Sequence, residues 1–261
     1  MASMTDPARE LGEIAKRLTK GNDAKGAQFL ANSFGVAPWS TSFYKIIACI
    51  LERAEQVATI VQRSAMDEDH IRDAVDHLEG FRSAFAGSAL VNSWNNSGHG
   101  LTLMKDHGQP IQFLSPTVRQ FVAYPRLNDE EIAELIALIV RYRDEVAMAS
   151  DAPPFVRQAI LDGLGLFRFQ LENIGWMGAG YVLSAFREVL QVYEVVQNQD
   201  MPDAFDPRAL LSGLTSIIIK FKDGVQSAKG WADTAETVWK VYQVGSTFVP
   251  PLLLTSQFVG R

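Results

Sequence analysis

Apolar residues recur at intervals of three and four through most of the chain, and this spacing constrains the fold more than any other feature. The clearest run extends from Phe43 to Val61 and consists of Phe43, Ile46, Ile47, Ile50, Ala54, Val57 and Val61. This period places the apolar side chains on one face of an α-helix. Similar stripes continue to a last one at Trp231, Ala235, Val238 and Tyr242. The spacing predicts an all-α multi-helix bundle of about nine helices.

Helix start signals divide the stripes into separate elements. Asp6-Pro7 and Asp206-Pro207 each place an N-cap acceptor before a proline, which is favoured in the first helical turn. Asn128 to Glu131 has the pattern of a capping box, with Leu127 and Ile132 spaced as a hydrophobic staple. These signals indicate short connections between antiparallel helices.

Residues 92–125 lack a helical period and are rich in Asn, Ser, Gly, His and Pro. Residues 101–103 and 111–113 alternate apolar and polar side chains around Asp106-His107-Gly108-Gln109, a pattern that predicts a small β-hairpin. We therefore expect an N-terminal helical part at 1–91, an irregular insert at 92–125 and a C-terminal helical part at 126–261. The two helical parts could also form one continuous domain.

Composition restricts the classes of function. The 261-residue chain has a net charge of −6, and its nine lysines are scattered. This charge pattern argues against a general nucleic-acid or anionic-membrane surface. A single cysteine, Cys49, lies in an apolar run and favours a reducing compartment. With no signal-peptide pattern and no uncharged apolar run of about 18 to 20 residues, we expect a soluble cytoplasmic protein.

Histidines are the first candidates for chemistry. His70, Asp73 and His77 follow at i, i+3 and i+7, so one helix could present three metal ligands on one side. They also border the apolar stripe, which favours partly exposed surface residues. His99, His107 or Glu68 could supply a further ligand. The pattern predicts no cofactor and leaves this helix edge as the candidate metal site.

Arg72 and His77 form an Arg-x4-His pattern with a polar residue after the arginine. The pattern resembles the motif of the HEPN family of helical ribonucleases. That resemblance implies that Arg72 would stabilise the scissile phosphate and that His77 would act on the 2′-hydroxyl proton. If the helix begins near residue 67, the two side chains point about 140° apart.

The irregular insert is also the candidate binding surface. Binding residues concentrate on irregular segments held by a rigid scaffold. We therefore expect a protein partner to contact the polar segment, with Trp94 exposed, through Trp94, His99, His107 and Tyr124. Homo-oligomerisation remains open.

Residues 127–197 resemble a pattern in uncharacterised all-helical bacterial proteins of phage-defence or toxin-immunity type. The shared order is a capped helix, a Pro-Pro start, a helix ending at Ile174-Gly175, a Gly-rich turn and a third helix. Together with the missing catalytic signature, it favours a non-catalytic interaction or regulatory protein, in a defence or immunity setting. The alternatives are a HEPN-like ribonuclease and a membrane-active, pore-forming effector, the latter suggested by the apolar segments 174–186 and 248–259.

Overall fold

The computed structural model describes residues 3–95, 99–150, 152–198 and 208–226, and within them the chain is almost entirely helical. The all-α prediction is confirmed. Nine helices in this described part have nine residues or more. The elements are β1 (Ser3–Thr5), α1 (Pro7–Leu18), α2 (Gly26–Phe34), α3 (Thr41–Gln62), α4 (Glu68–Ser83), α5 (Ser88–Val91), α6 (Gly100–Phe113), α7 (Ser115–Val118), β2 (Tyr124–Arg126), α8 (Asp129–Met148), α9 (Pro154–Glu172), α10 (Ile174–Met177), α11 (Ala179–Asn198) and α12 (Arg208–Gln226).

Two of the predicted helix starts are confirmed atom by atom. The Asp6 carboxylate accepts a hydrogen bond from the Arg9 amide at 3.0 Å, with Pro7 as the first helical residue. Asn128 and Glu131 form the predicted capping box through two reciprocal hydrogen bonds of 2.8 Å. The predicted cap at 206–207 and the predicted helix over 231–242 lie outside the described residues.

The described residues fall into two compact units. The N-terminal unit comprises 5–95, 99–124 and the short segment 175–178. The C-terminal unit comprises 3–4, 125–150, 152–174, 179–198 and 208–226. The division at 124/125 lies one residue from the predicted start of the C-terminal part at 126. Residues 92–95 and 99–124 of the predicted insert belong to the N-terminal unit, and Pro125 belongs to the C-terminal unit.

The β-hairpin predicted at 101–113 is wrong, because this segment is helix α6. Met104, Gly108 and Ile111 are buried at intervals of four and three, which is the helical period. A methyl group on Gly108 would overlap the side chain of Ala15, so α6 lies very close to α1. The small two-stranded sheet of this protein is formed by β1 and β2 instead.

In the N-terminal unit, α1 and α4 both pack against α6 and against α3. Helix α6 is therefore part of the core, and its burial explains why a glycine- and proline-containing sequence stays helical. Pro110 lacks an amide donor, but the helix continues to Phe113 around the buried Ile111.

In the C-terminal unit, α9 packs against α8 and α11, and α12 packs against the same two helices. Phenylalanine rings from α9, α11 and α12 pack together in its core. The ring centroids of Phe186 and Phe221 lie 4.1 Å apart, and both rings contact Phe167. A search of the described helices found none with the length and apolar character that a membrane span requires.

Candidate functional site

His77 and His107 converge in the N-terminal unit, although 30 residues separate them in sequence. Their Nδ1 atoms lie 3.0 Å apart, and their ring centroids are separated by 5.3 Å. His77 lies on α4 and His107 on α6, so the packing of these two helices creates the pair. Both side chains are half-buried.

Gly80 makes room for this pair. It lies one helical turn after His77, and a methyl group at this position would overlap the imidazole of His107. The missing side chain lets the Nε2 end of the His107 ring approach α4 closely. A small residue at i+3 from a histidine is the local signal for this arrangement, but it does not identify the partner ring.

The short Nδ1–Nδ1 distance restricts the protonation states of the pair. One imidazole must donate and the other must accept, so the hydrogen bond exists only when at least one ring is neutral. Burial of the ring and the nearby His77 both lower the pKa of His107, and the Asp106 carboxylate opposes them. His107 is therefore held toward neutral imidazole, the form that can accept a proton.

The three predicted metal ligands on α4 do not form one cluster. His70 pairs with Asp67 at the start of the helix, and this hydrogen bond raises the pKa of His70. Asp73 is exposed, while His77 pairs with His107. Within the described residues, no group of three or more His, Cys, Asp and Glu side chains is arranged to hold a metal ion.

Arg72 and His77 lie on one unbroken helix, and their spacing of five residues directs them about 140° apart. The Arg72 guanidinium donates to Asp69 at 2.7 Å on the exposed side of α4. The structure does not bring Arg72 and His77 together, as joint action on one phosphate would require.

The prediction that Trp94 is exposed is wrong. Its side chain is 0% exposed, its indole N–H donates to the Leu18 carbonyl at 3.2 Å, and its ring packs on Phe29 with centroids 4.7 Å apart. The polar sequence around it suggested a surface loop, but the indole fills the space over Gly100, where a methyl group would overlap the ring.

His99 lies nearby in sequence and contacts Asn92 at 3.3 Å.

Tyr124 is half-buried and belongs to a polar cluster with Gln56, Glu10 and Arg53. Burial raises the pKa of its hydroxyl, which also hydrogen-bonds with Gln56. The charges of Glu10 and Arg53 act on the same hydroxyl. The four predicted binding residues therefore do not form one surface, because Trp94, His107 and Tyr124 each have different partners.

Sequence reasoning also missed the buried ion pair of this cluster. Arg53 donates to Glu10 at 3.1 Å, to the Cys49 carbonyl at 3.3 Å and to the Trp176 carbonyl. Its position beside the apolar stripe of α3, three residues after Ile50, was the available signal. All three contacts lie within the N-terminal unit. The Arg53 guanidinium is thus hydrogen-bonded inside this unit, which is typical of a group that stabilises the fold.

A pair of exposed aromatic side chains, Trp39 and Tyr44, forms a second feature that sequence reasoning missed. We call these two residues the aromatic surface. Their side chains are 48% and 52% exposed, and their ring centroids lie 6.2 Å apart. Both rings also pack on the buried Phe43, whose ring centroid lies 5.7 Å from that of Trp39 and 5.6 Å from that of Tyr44.

The backbone at Trp39 is strained. Its φ is +62°, and it is the one non-glycine residue in the described chain with a positive φ. Pro38 and Trp39 occupy the centre of a turn that is closed by a 3.2 Å hydrogen bond from the Ser40 amide to the Ala37 carbonyl. A turn with proline first and a positive φ second normally takes glycine or asparagine at the second position. A bulky residue there costs roughly 1–2 kcal/mol.

Searches for similar proteins returned nothing for this chain: no family model, no curated protein and no solved structure matches it.

Proposed function

We propose that this chain is a non-catalytic helical interaction protein and that it binds a protein partner through the aromatic surface, Trp39 and Tyr44. The observation that carries the proposal is the strained backbone of a half-exposed tryptophan. Residues held in unfavourable backbone conformations concentrate at functional sites, where the strain is part of a binding geometry.

The side chains suit such a role. Trp and Tyr are enriched among the residues that dominate binding energy at protein interfaces. Each offers a large apolar area with a polar atom at its edge and loses little conformational entropy on binding.

The aromatic surface is also preorganised. The Ser40 hydroxyl accepts from the Phe43 amide at 3.2 Å and caps α3, which fixes the turn that carries Trp39. The ring centroids of Phe43 and Phe34 lie 6.1 Å apart, and those of Phe34 and Trp176 lie 5.0 Å apart. The exposed rings therefore pack on buried ones. Rigid side chains reduce the entropy lost on binding and so favour affinity.

The setting of this interaction is part of the proposal. The resemblance of residues 127–197 to bacterial proteins of defence or immunity type suggests a cytoplasmic partner from such a system. We do not extend the proposal to a HEPN-like ribonuclease activity, because Arg72 and His77 point to different sides of α4.

Site-specific photo-crosslinking in bacterial cells tests the proposal. A photoreactive phenylalanine analogue replaces Tyr44 in one variant and Phe121 in a matched control. Phe121 is similarly exposed, at 54%, and has no aromatic ring contact among the described residues. We expect a discrete adduct from position 44, its loss when Trp39→Gly is added, and no such adduct from position 121. Equal adducts at both positions, or an adduct that survives Trp39→Gly, would contradict the proposal.

A further inference from the structure

We infer that the aromatic surface, Trp39 and Tyr44, binds a proline-rich segment of the partner in the polyproline II conformation. The inference rests on the proposed function and names the chemistry of the partner. Three properties carry it: the spacing of the two exposed rings, the hydrogen-bond donors at their edges and the lack of acidic residues in the surrounding sequence.

The spacing of the two rings suits a polyproline II helix. Their centroids lie 6.2 Å apart, and the ring planes are tilted by 44°. A polyproline II helix rises about 3.1 Å per residue, so this separation corresponds to about two residues of such a segment. Neighbouring residues of one segment can therefore contact both rings, as they do in the aromatic-lined grooves of domains that bind proline-rich peptides.

The polar atoms of the surface complement the backbone of such a segment. Among the described residues, nothing accepts a hydrogen bond from the Trp39 indole N–H or from the Tyr44 hydroxyl. The indole N–H is a donor only, so a partner must offer it a free acceptor. Carbonyls inside helices and sheets are already paired, whereas a polyproline II segment has no internal hydrogen bonds and its prolines have no N–H. The surface therefore donates where a proline-rich segment can only accept.

The charge of the surrounding sequence disfavours a cationic ligand. Residues 24–51 contain no Asp or Glu, although the whole chain has 30 acidic residues. The same stretch contains Lys25 and Lys45, and Lys45 directly follows Tyr44. Aromatic rings also attract ammonium and guanidinium groups, but here a lysine opposes that attraction and no neighbouring carboxylate in the sequence supports it. An uncharged proline-rich segment meets no such repulsion.

Both sides of this contact are ordered before they meet. Trp39 is held in a turn that is closed by the hydrogen bond from the Ser40 amide to the Ala37 carbonyl. A polyproline II segment is stiff in solution, because each proline ring fixes its own φ. Binding of a rigid segment to a rigid surface loses little conformational entropy, so a small contact area can still give specific binding.

Fluorescence anisotropy with a fluorescein-labelled oligoproline peptide tests the inference on the full chain. We expect saturable binding to wild type and none of a Gly-Ser peptide of equal length. Trp39→Gly should weaken oligoproline binding at least about tenfold, because it removes one ring face. Tyr44→Phe should weaken it about two- to tenfold, because it keeps the ring and removes one hydrogen bond.

Phe121→Gly is the matched control, since it removes an exposed ring from the same unit outside the aromatic surface. We expect it to leave the affinity for oligoproline unchanged. Equal binding of the oligoproline and Gly-Ser peptides, or an affinity that survives Trp39→Gly, would overturn the inference.

The adduct cross-linked at position 44 separates this inference from the proposed function. Mass spectrometry of the digested adduct identifies the segment of the partner that touches the surface, and we expect a proline-rich segment. An adduct that depends on Trp39 but lies on a segment without prolines would overturn the inference while supporting the proposed function. Absence of both the adduct and oligoproline binding would overturn the two together.

Discussion

The guanidinium of Arg53 lies 3.1 Å from the carboxylate of Glu10, and the two side chains are only 3% and 11% exposed. Buried charges are stable only when paired and hydrogen-bonded. Arg53 meets that condition through Glu10 and through the carbonyls of Cys49 and Trp176. A charged side chain on α3 is thus part of the core of the N-terminal unit.

Replacing Arg53 with methionine should be strongly destabilising, because it removes the guanidinium that pairs with the largely buried Glu10 carboxylate and that donates to two main-chain carbonyls. We expect a loss of about 3–5 kcal/mol in the free energy of unfolding, measured with urea. Arg72→Met is the matched control, since the Arg72–Asp69 pair is 68% and 80% exposed. Exposed pairs contribute about 0–1 kcal/mol, so equal losses in the two variants would contradict the account.

Two glycine-to-alanine substitutions in helices should have opposite effects. A methyl group on Gly108 would overlap Ala15, so Gly108→Ala should destabilise the protein by about 1–3 kcal/mol through overpacking. A methyl group on Gly163 would lie 3.5 Å from the nearest atom, a Val192 methyl carbon. Gly163→Ala should therefore stabilise by about 0.4–1 kcal/mol. Thermal unfolding of both variants measures the two signs.

The pH dependence of stability should contain a contribution from His107. Its folded-state pKa lies below the ordinary value of 6.5, so the unfolded chain binds more protons as the pH falls below 6.5. The stabilising contribution is complete above that pH and is lost as the pH falls through the folded-state pKa. We expect His107→Gln to lose less stability than wild type between pH 7 and pH 5, measured by urea unfolding. A steeper loss in the variant would give the wrong sign.

Trp94→Phe should affect stability without affecting partner binding. The substitution removes the hydrogen bond to the Leu18 carbonyl and leaves space beside Phe29. We expect a destabilisation of about 1–3 kcal/mol, because the carbonyl loses its buried partner. The adduct from position 44 should persist in this variant. A loss of the adduct at unchanged stability would contradict this expectation and would indicate that Trp94 takes part in partner binding.

The helices could be predicted where one face is continuously apolar and the start is capped. The stripe on α3 and the capping box at Asn128 needed no tertiary information. Helix α6 could not be predicted in this way, since Gly108 and Pro110 are typical of turns. Position 108 requires a glycine because α6 lies so close to Ala15 of α1 that a side chain would overlap it. This contact joins residues far apart in sequence.

The candidate sites were less predictable than the helices. His77 was recognised as a candidate ligand on α4, but its approach to His107 depends on how α4 packs on α6. Trp39 was missed because its positive φ arises in a turn whose sequence does not require it. Exposure depends on tertiary packing, and for the same reason Trp94 was assigned to the surface.

The affinity of the partner captured at position 44, compared between wild type and Trp39→Gly, tests the central claim most directly. Glycine keeps the turn, because it adopts a positive φ without strain. A tryptophan at the centre of a protein interface contributes at least about 2 kcal/mol, which is roughly 30-fold in affinity. We predict a loss of that size for Trp39→Gly and unchanged affinity for Phe121→Gly, in variants with wild-type circular dichroism. Equal affinity of wild type and Trp39→Gly would contradict the claim that the strained tryptophan is a binding residue.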